Sequence, residues 1–251
     1  MLQLRELDSY LNKLLQSQNF QDYCPNGLQV QGKTEIQKIV GAVTASLACI
    51  ETACAVGADA LLVHHGLFWR GDDMRVVGLL KPRLQMLLKQ DVNLLAYHLP
   101  LDVHPVYGNN SQLAAQLGWS VSGTFGSGST PLGQYTTLSS PISGVKLAQH
   151  LEKCLGRAAL HIPGRETPLQ RIGWCTGAAQ NLISAAYEAQ LDAFISGEIS
   201  EQTVHQAKEY QLDYFAAGHH ATERYGVRSL LTHLSDKFEV ATQFLEIDNP
   251  V

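Results

Sequence analysis

No Cys-x-x-Cys pair occurs in this chain, and its five cysteines (Cys24, Cys49, Cys54, Cys154 and Cys175) are odd in number and scattered. That pattern requires no disulfide scaffold and fits reduced thiols in a cytoplasmic protein. Absent too is any window long and apolar enough to span a membrane. The opening Met1-Leu-Gln-Leu-Arg-Glu-Leu-Asp8 carries acidic residues and no unbroken apolar run, unlike a signal or transit peptide. Basic residues are few and dispersed. With 18 Lys and Arg against 23 Asp and Glu the formal charge is -5, which gives no signal for a nucleic-acid backbone binder but leaves nucleotides open as small substrates. Neither a nucleophile-elbow serine, a phosphate-binding P-loop nor a dinucleotide glycine fingerprint is present. What remains is 251 residues, enough for one large α/β domain or two small ones with a core that needs no cross-links.

The apolar pattern supplies the elements. Leu4, Leu7, Leu11, Leu14 and Leu15 fall at helical spacing and predict an amphipathic helix packed on a core. Asp22 to Gly27 reads as a turn on the strength of Asn26-Gly27. Strands are expected around Leu28–Val30 and 39–43, and an Ala-rich helix over 45–56 stopped by Gly57. Ala60 to Val63 then has the length of a buried strand and is cut off by His64-His65-Gly66. A polar loop follows over 71–77. Pro82 is expected to open a helix to about Gln90, and a strand over 92–96 ends in Tyr97-His98 and the segment to Asp102, His104 and Pro105, which Pro100 and Pro105 should stiffen. A helix from Asn109 to Gly118 and a short strand over 119–121 complete this half. Phe125 to Gly133, rich in Gly and Ser, reads as a linker that divides the chain into halves 1–125 and 126–251.

The second half repeats the first. Lys38–Gly66 runs strand, small-residue turn, Ala-rich helix, Asp-Ala, apolar strand; Arg171–Glu198 does the same, with Ile39, Ala45, Ile50 and Asp59 aligned on Ile172, Ala178, Ile183 and Asp192. The correspondence continues from the strand before His98 to the strand before Gly218-His219-His220. Two duplicated α/β halves would gather their strand ends around one cleft, where ligands of open α/β sheets bind. Those ends carry His64, His65, Asp102, His219 and Glu223. His219 and Glu223, four apart at a helix start, share a face, and the helix amino terminus favours the carboxylate. Three imidazoles with two carboxylates exceed the four ligands of a structural zinc and suit two divalent transition-metal ions about 3.5–4 Å apart, usually bridged by a carboxylate and holding an attacking water or hydroxide. Glu223 is the expected bridge. His98, Glu198 and His220 are candidates for supporting the metal ligands or transferring protons. His150 and His161 stand isolated, with no chemical role expected.

Asn26-Gly-Leu-Gln-Val30, Val63-His-His-Gly66, His98-Leu-Pro-Leu-Asp102, Ser196-Gly-Glu-Ile199 and Gly218-His-His-Ala-Thr-Glu223 resemble, in order, the signature stretches of the GTP cyclohydrolase 1 type 2 homologues, the NIF three-like dinuclear-metal proteins, in their short bacterial form. The resemblance covers nearly the whole chain. It implies two duplicated, intertwined α/β halves with mixed sheets, a toroidal homohexamer, and a two-metal site in the cleft between the halves. Its ligands match onto His64, His65 and Asp102 in the first half and His219 and Glu223 in the second. The metal is Fe, Mn, Zn, Co or Ni as far as imidazole and carboxylate ligation goes. The leading expectation is a metal-dependent hydrolase of a small nucleotide-like substrate. The rival is a non-catalytic, oligomeric metal-binding or partner-binding protein.

Overall fold

Leucine spacing sets the first element. In the computed structural model, which describes residues 2–128 and 130–251, a short β1 (Leu2–Gln3) leads into α1 (Leu4–Leu15), and Leu4, Leu7, Leu11 and Leu15 of its apolar stripe are all buried. Next come β2 (Gly27–Val30), β3 (Glu35–Ile36), which pairs antiparallel with β1, and β4 (Lys38–Thr44). Ser46 caps α2 (Leu47–Ala55) by accepting the N–H of Cys49. After β5 (Ala60–His65), α3 spans Leu80–Gln90. It therefore begins two residues before Pro82, which still sits in the first turn, where backbone N–H groups have no intrahelical acceptor to lose. Then follow β6 (Asn93–Ala96), α4 (Leu99–Val103) and α5 (Asn109–Gln116).

The expected strand at 119–121 does not form. Gly118 leaves α5 at a φ of +71° and Trp119 turns its ring towards Trp174 and His150, with centroids 5.5 and 5.9 Å away. The strand is displaced to β7 (Gly123–Phe125), which pairs antiparallel with β8 (Gly133–Ile142), Phe125 opposite Gly133. The Gly/Ser stretch is thus the loop of a hairpin within one sheet; Ser129 in it lies outside the described residues. The chain continues through α6 (Gly144–Leu155), β9 (Leu160–Ile162), β10 (Leu169–Trp174), α7 (Ile183–Glu188), β11 (Ala193–Ser196), α8 (Glu201–Glu209), β12 (Asp213–Ala216), α9 (His219–Phe238) and β13 (Ala241–Phe244). No helix of the described residues is long and apolar enough to cross a membrane.

This is a mixed α/β fold with mixed sheets, divided by packing into two compact units. The first takes in residues up to Tyr107 and, from the far end of the chain, Gly226–Asp248; the second holds Gly108–Tyr225 and Asn249–Val251. In the first, a five-stranded sheet runs β13-β4-β5-β6-β2, parallel except for β2, which lies antiparallel on β6. Alternate residues serve opposite faces. Ile39, Ala60, Leu62 and Leu95 pack with α1 and with Val227–Leu234 of α9, whereas Val40, Leu61, Val63 and Leu94 pack under α2 and α3. Burial on both faces explains why these strands read as unbroken apolar runs.

The second unit's sheet runs β7-β8-β10-β11-β12-β9, with β10, β11 and β12 parallel and β8 and β9 antiparallel on its two sides. Leucines of α5 and α6 cover one face with Trp174, Ile195 and Phe215, and α7 and α8 cover the other with Phe194 and Tyr214.

A half-buried network recurs beside each sheet. Asp59 accepts the backbone N–H groups of Gln37 and Lys38 at 2.9 and 3.0 Å and the Lys33 ammonium at 2.7 Å. Asp192 likewise accepts from Gln170 and Arg171, both at 2.8 Å, and from the Arg165 guanidinium at 2.5 Å. Although burial opposes ionisation of Asp59, Lys33 and the two backbone donors hold its carboxyl below the usual 3.8. A depressed folded-state pKa contributes stability above the unfolded value and loses it as pH falls through the folded one. Asp59→Asn should therefore cost about 1–3 kcal/mol at neutral pH. In urea titrations that difference should shrink steadily as the pH is taken below the ordinary carboxylate range, and a pH-independent difference would refute the ionic account.

Candidate metal centre

In the first unit the central strand β5 ends in two imidazoles. His64 and His65 are the last residues of β5, with ring centroids 4.6 Å apart. His64 is fully buried, and its Nδ1 lies 2.9 Å from the carbonyl oxygen of Tyr97 just beyond β6. A carbonyl only accepts, so Nδ1 carries the hydrogen, and Nε2 is the nitrogen whose lone pair the ring offers in its neutral form. That atom is 3.4 Å from Oδ1 of Asp102. His65 Nδ1 is 3.0 Å from the hydroxyl of Thr44, its partner in the β4–β5 ladder. Asp102, expected in a loop stiffened by prolines, lies instead on the five-residue α4, with Pro100 in the first turn.

His98 stands beside this pair, its ring 5.1 Å from that of His64 and 5.7 Å from that of His65. His64, His65 and His98 each present a ring nitrogen, all within 4.8 Å of one another, and so form a group able to hold a cation. The residue that sequence reasoning missed here is Asp22. Its Oδ1 is 2.7 Å from His98 Nδ1, and its other oxygen accepts from the backbone of Leu99 and the amide of Asn26. Burial works against the charge on Asp22, yet the bonds from His98 and Asn26 keep its carboxyl below the ordinary range. Asp22, Cys24 and His98 form a second close group of metal-ligand type. The only local signal was an acid next to the Asn26-Gly27 turn, read as part of that turn.

In the second unit His219 opens α9 and Glu223 follows one turn on, buried, with Oε2 2.9 Å from His219 Nε2. The other ring nitrogen, Nδ1, is 2.6 Å from Glu198 in the loop after β11. Burial alone would lower the pKa of His219; Glu223 and Glu198 outweigh it and raise it to about 9. Gly177, in the loop after β10, takes a φ of +69°, and a Cβ there would stand 1.9 Å from Glu223 Oε1 and 3.1 Å from His219 Nε2. Its N–H donates to Thr222 and its carbonyl accepts from Ser196 and Gly197, which fixes the loop against the start of α9. His220, by contrast, is second in α9 and its backbone N–H donates to the carbonyl of Val251. His150 bonds the carbonyl of Leu117, and His161 bonds Asp213 while stacking on Phe215. The structure thus brings His64, His65, His98 and Asp102 together in one unit, and His219, Glu223 and Glu198 in the other.

Comparison with known proteins places the chain in a family. The family model Duf34/NIF3 (NGG1p interacting factor 3) matches residues 2–250. A GTP cyclohydrolase 1 type 2 homolog of Yersinia pestis is 48% identical over 246 residues, 98% of each chain, and one of Vibrio cholerae is 46% identical over 248 residues, again 98% of each. Among solved structures, the protein ybgI, described as of unknown function, superposes with a TM-score of 0.95 at 45% identity over the whole of both chains. TTHA1606 from Thermus thermophilus does so with 0.90 at 33% identity, also over the whole of both. By the family model and by relatives similar over almost their entire length, this chain belongs to the Duf34/NIF3 family.

Proposed function

We propose that His64, His65, Asp102, His219 and Glu223 together bind two divalent transition-metal ions, Fe, Mn, Zn, Co or Ni, in a cleft between duplicated halves, and that the protein is a metal-dependent hydrolase of a small nucleotide-like substrate. The observation that carries this reading is the way the donors are held. His64 has its Nδ1 committed to a carbonyl and His219 its Nδ1 to a carboxylate, so each turns Nε2 towards a buried acid. Orientation of metal-ligating imidazoles through the opposite nitrogen is the usual support of such sites. The fit is helped by Gly177, which leaves open at Glu223 Oε1 a space that any other residue would fill. Imidazole with carboxylate is also the right chemistry for these ions and wrong for a thiolate site. Two such ions, when bound, supply Lewis acidity and charge stabilisation for hydrolysis. His98 would hold or pass a proton at Nε2, its Nδ1 being tied to Asp22; Glu198 would fix the ring of His219, and His220 is the remaining proton-transfer candidate.

The reading includes the halves 1–125 and 126–251 as intertwined copies. Supporting it, β4-β5-β6 with antiparallel β2 repeats as β10-β11-β12 with antiparallel β9, and the Asp59 network repeats at Asp192. Each half would then give its last helices to the other unit: α5 joins the second, and α9 from Gly226 the first. We further propose a cytoplasmic, toroidal homohexamer. The rival reading, a non-catalytic metal-binding or partner-binding oligomer, is favoured by the exposed apolar side chains of Met74, Val76, Val77 and Leu79 in one loop. One set of experiments decides. Elemental analysis should find two ions per chain, light scattering six chains per particle, and a nucleotide panel with added metal at least one substrate hydrolysed. No turnover, with the assembly dissolving on chelation, would leave the rival standing.

A further inference from the structure

Next to the imidazoles of His65 and His98 lies a cavity of about 500 Å³ whose lining includes Tyr23, Phe68, Trp69, Met74, Arg70 and Asp22. We propose that this cavity binds a planar heteroaromatic ring carrying an anionic group, the chemistry of a nucleoside monophosphate, and so forms the ring-recognising part of the substrate site. The proposal rests on the reading of the neighbouring donors as a reaction centre for its purpose, though not for the binding itself.

The volume lies within the about 300–1,000 Å³ usual for small-ligand pockets. Its walls are aromatic and apolar, and two of them, Tyr23 and Met74, have about three-fifths of their surface in water, at 61% and 62%. Aromatic faces at a cavity wall stack flat rings with little regard to which ring it is. The two loops that form the cavity are already tied together: the backbone N–H of Arg70 donates to the carbonyl of Tyr23 at 2.7 Å, and its guanidinium to the carbonyl of Asp22 at 2.8 Å. A preformed site loses less entropy on binding.

Charge selects the rest of the ligand. That carbonyl is the one polar partner of the Arg70 guanidinium among the described residues, so its positive charge meets no carboxylate and remains available to an anion. Asp22 does not compete, since its oxygens are taken by His98, Leu99, Tyr23 and Asn26.

The cavity also opens in the right place. Trp69 stands edge-on to His98 at 5.1 Å and lies 5.8 Å from His65, and Tyr23 flanks the other side of His98 at 6.5 Å. A ring stacked on Trp69 is thereby one side chain away from the imidazoles of β5, which suits a ligand whose reacting bond lies beyond its ring.

The test uses the full chain, metal-stripped and metal-loaded, titrated with GMP, guanosine and ribose 5-phosphate by calorimetry and by tryptophan fluorescence. GMP should bind both forms and bind more tightly than either fragment. Trp69→Leu should weaken GMP about tenfold, and Trp69→Phe, which keeps a stacking ring, should retain most of the affinity while abolishing the fluorescence change. Arg70→Ala should reduce GMP to the affinity of guanosine. Equal binding by Trp69→Leu and the unaltered protein, or no GMP binding to folded protein, overturns the proposal. Metal content of the same samples separates the two readings: full metal with no GMP binding sinks the cavity alone, and Trp69-dependent GMP binding by a protein that takes up no metal sinks the metal reading alone.

Discussion

Glu223→Ala should reduce the metal held by the reconstituted protein from two ions per chain to one or none, with hydrolysis falling by more than about 100-fold. Removal of an outer partner of a metal ligand costs about 10–100-fold in affinity or activity, so loss of a ligand, and above all of a bridging one, must cost more. The fold should survive. His219 keeps Glu198 on its Nδ1 at 2.6 Å, and Thr222 keeps its bonds to Gly177 and Gly218, so the start of α9 remains anchored without the Glu223 carboxylate. Circular dichroism of the metal-free variant should accordingly match that of the unaltered protein, while its melting temperature falls because His219 loses its buried partner. Glu223→Gln, isosteric and uncharged, should behave like the alanine variant in metal content, because a bridge between two cations needs the charge and not only the shape. Two ions retained by both variants would remove Glu223 from the centre.

Local pattern carried much of this protein and left particular things hidden. The strand ending at His64-His65 was legible because burial on both faces of a parallel sheet makes an apolar run that a polar pair visibly stops. His219 with Glu223 was legible because four residues make one helical turn. Asp102 was found by residue type but misplaced, since a five-residue helix is too short to show a period. The Gly/Ser stretch after Phe125 forms a hairpin loop that its composition could not specify: Gly and Ser mark flexible backbone, and only the pairing of Phe125 with Gly133 shows how it is used. Asp22 was invisible because its bond to His98 joins residues 76 positions apart. Equally hidden was the packing of Gly226–Asp248 with residues up to Tyr107, which depends on tertiary fit and leaves no trace in spacing. The candidate donors and Glu198, then, lay in the text, and other groups that orient them, Asp22, the Tyr97 carbonyl and Gly177, did not.

The most telling of those groups has no side chain at all. Gly177→Ala should abolish full metal loading while leaving the protein folded, and the reason is steric. The added methyl carbon would stand 1.9 Å from Glu223 Oε1 and 3.1 Å from His219 Nε2. The backbone there is braced by Ser196, Gly197 and Thr222, so the carboxylate is the part that gives way. A second cost arises because φ is +69°, a conformation that costs a residue with a Cβ about 1–2 kcal/mol. Gly57→Ala separates the two effects. Gly57 has a φ of +74° and no atom within 4 Å of the position its Cβ would take. Both variants should lose about 1–2 kcal/mol in chemical denaturation through the backbone, but only Gly177→Ala should lose metal in elemental analysis. Should Gly177→Ala bind two ions as readily as Gly57→Ala, the oxygen it displaces is not a ligand, and the centre would have to be rebuilt on donors other than Glu223.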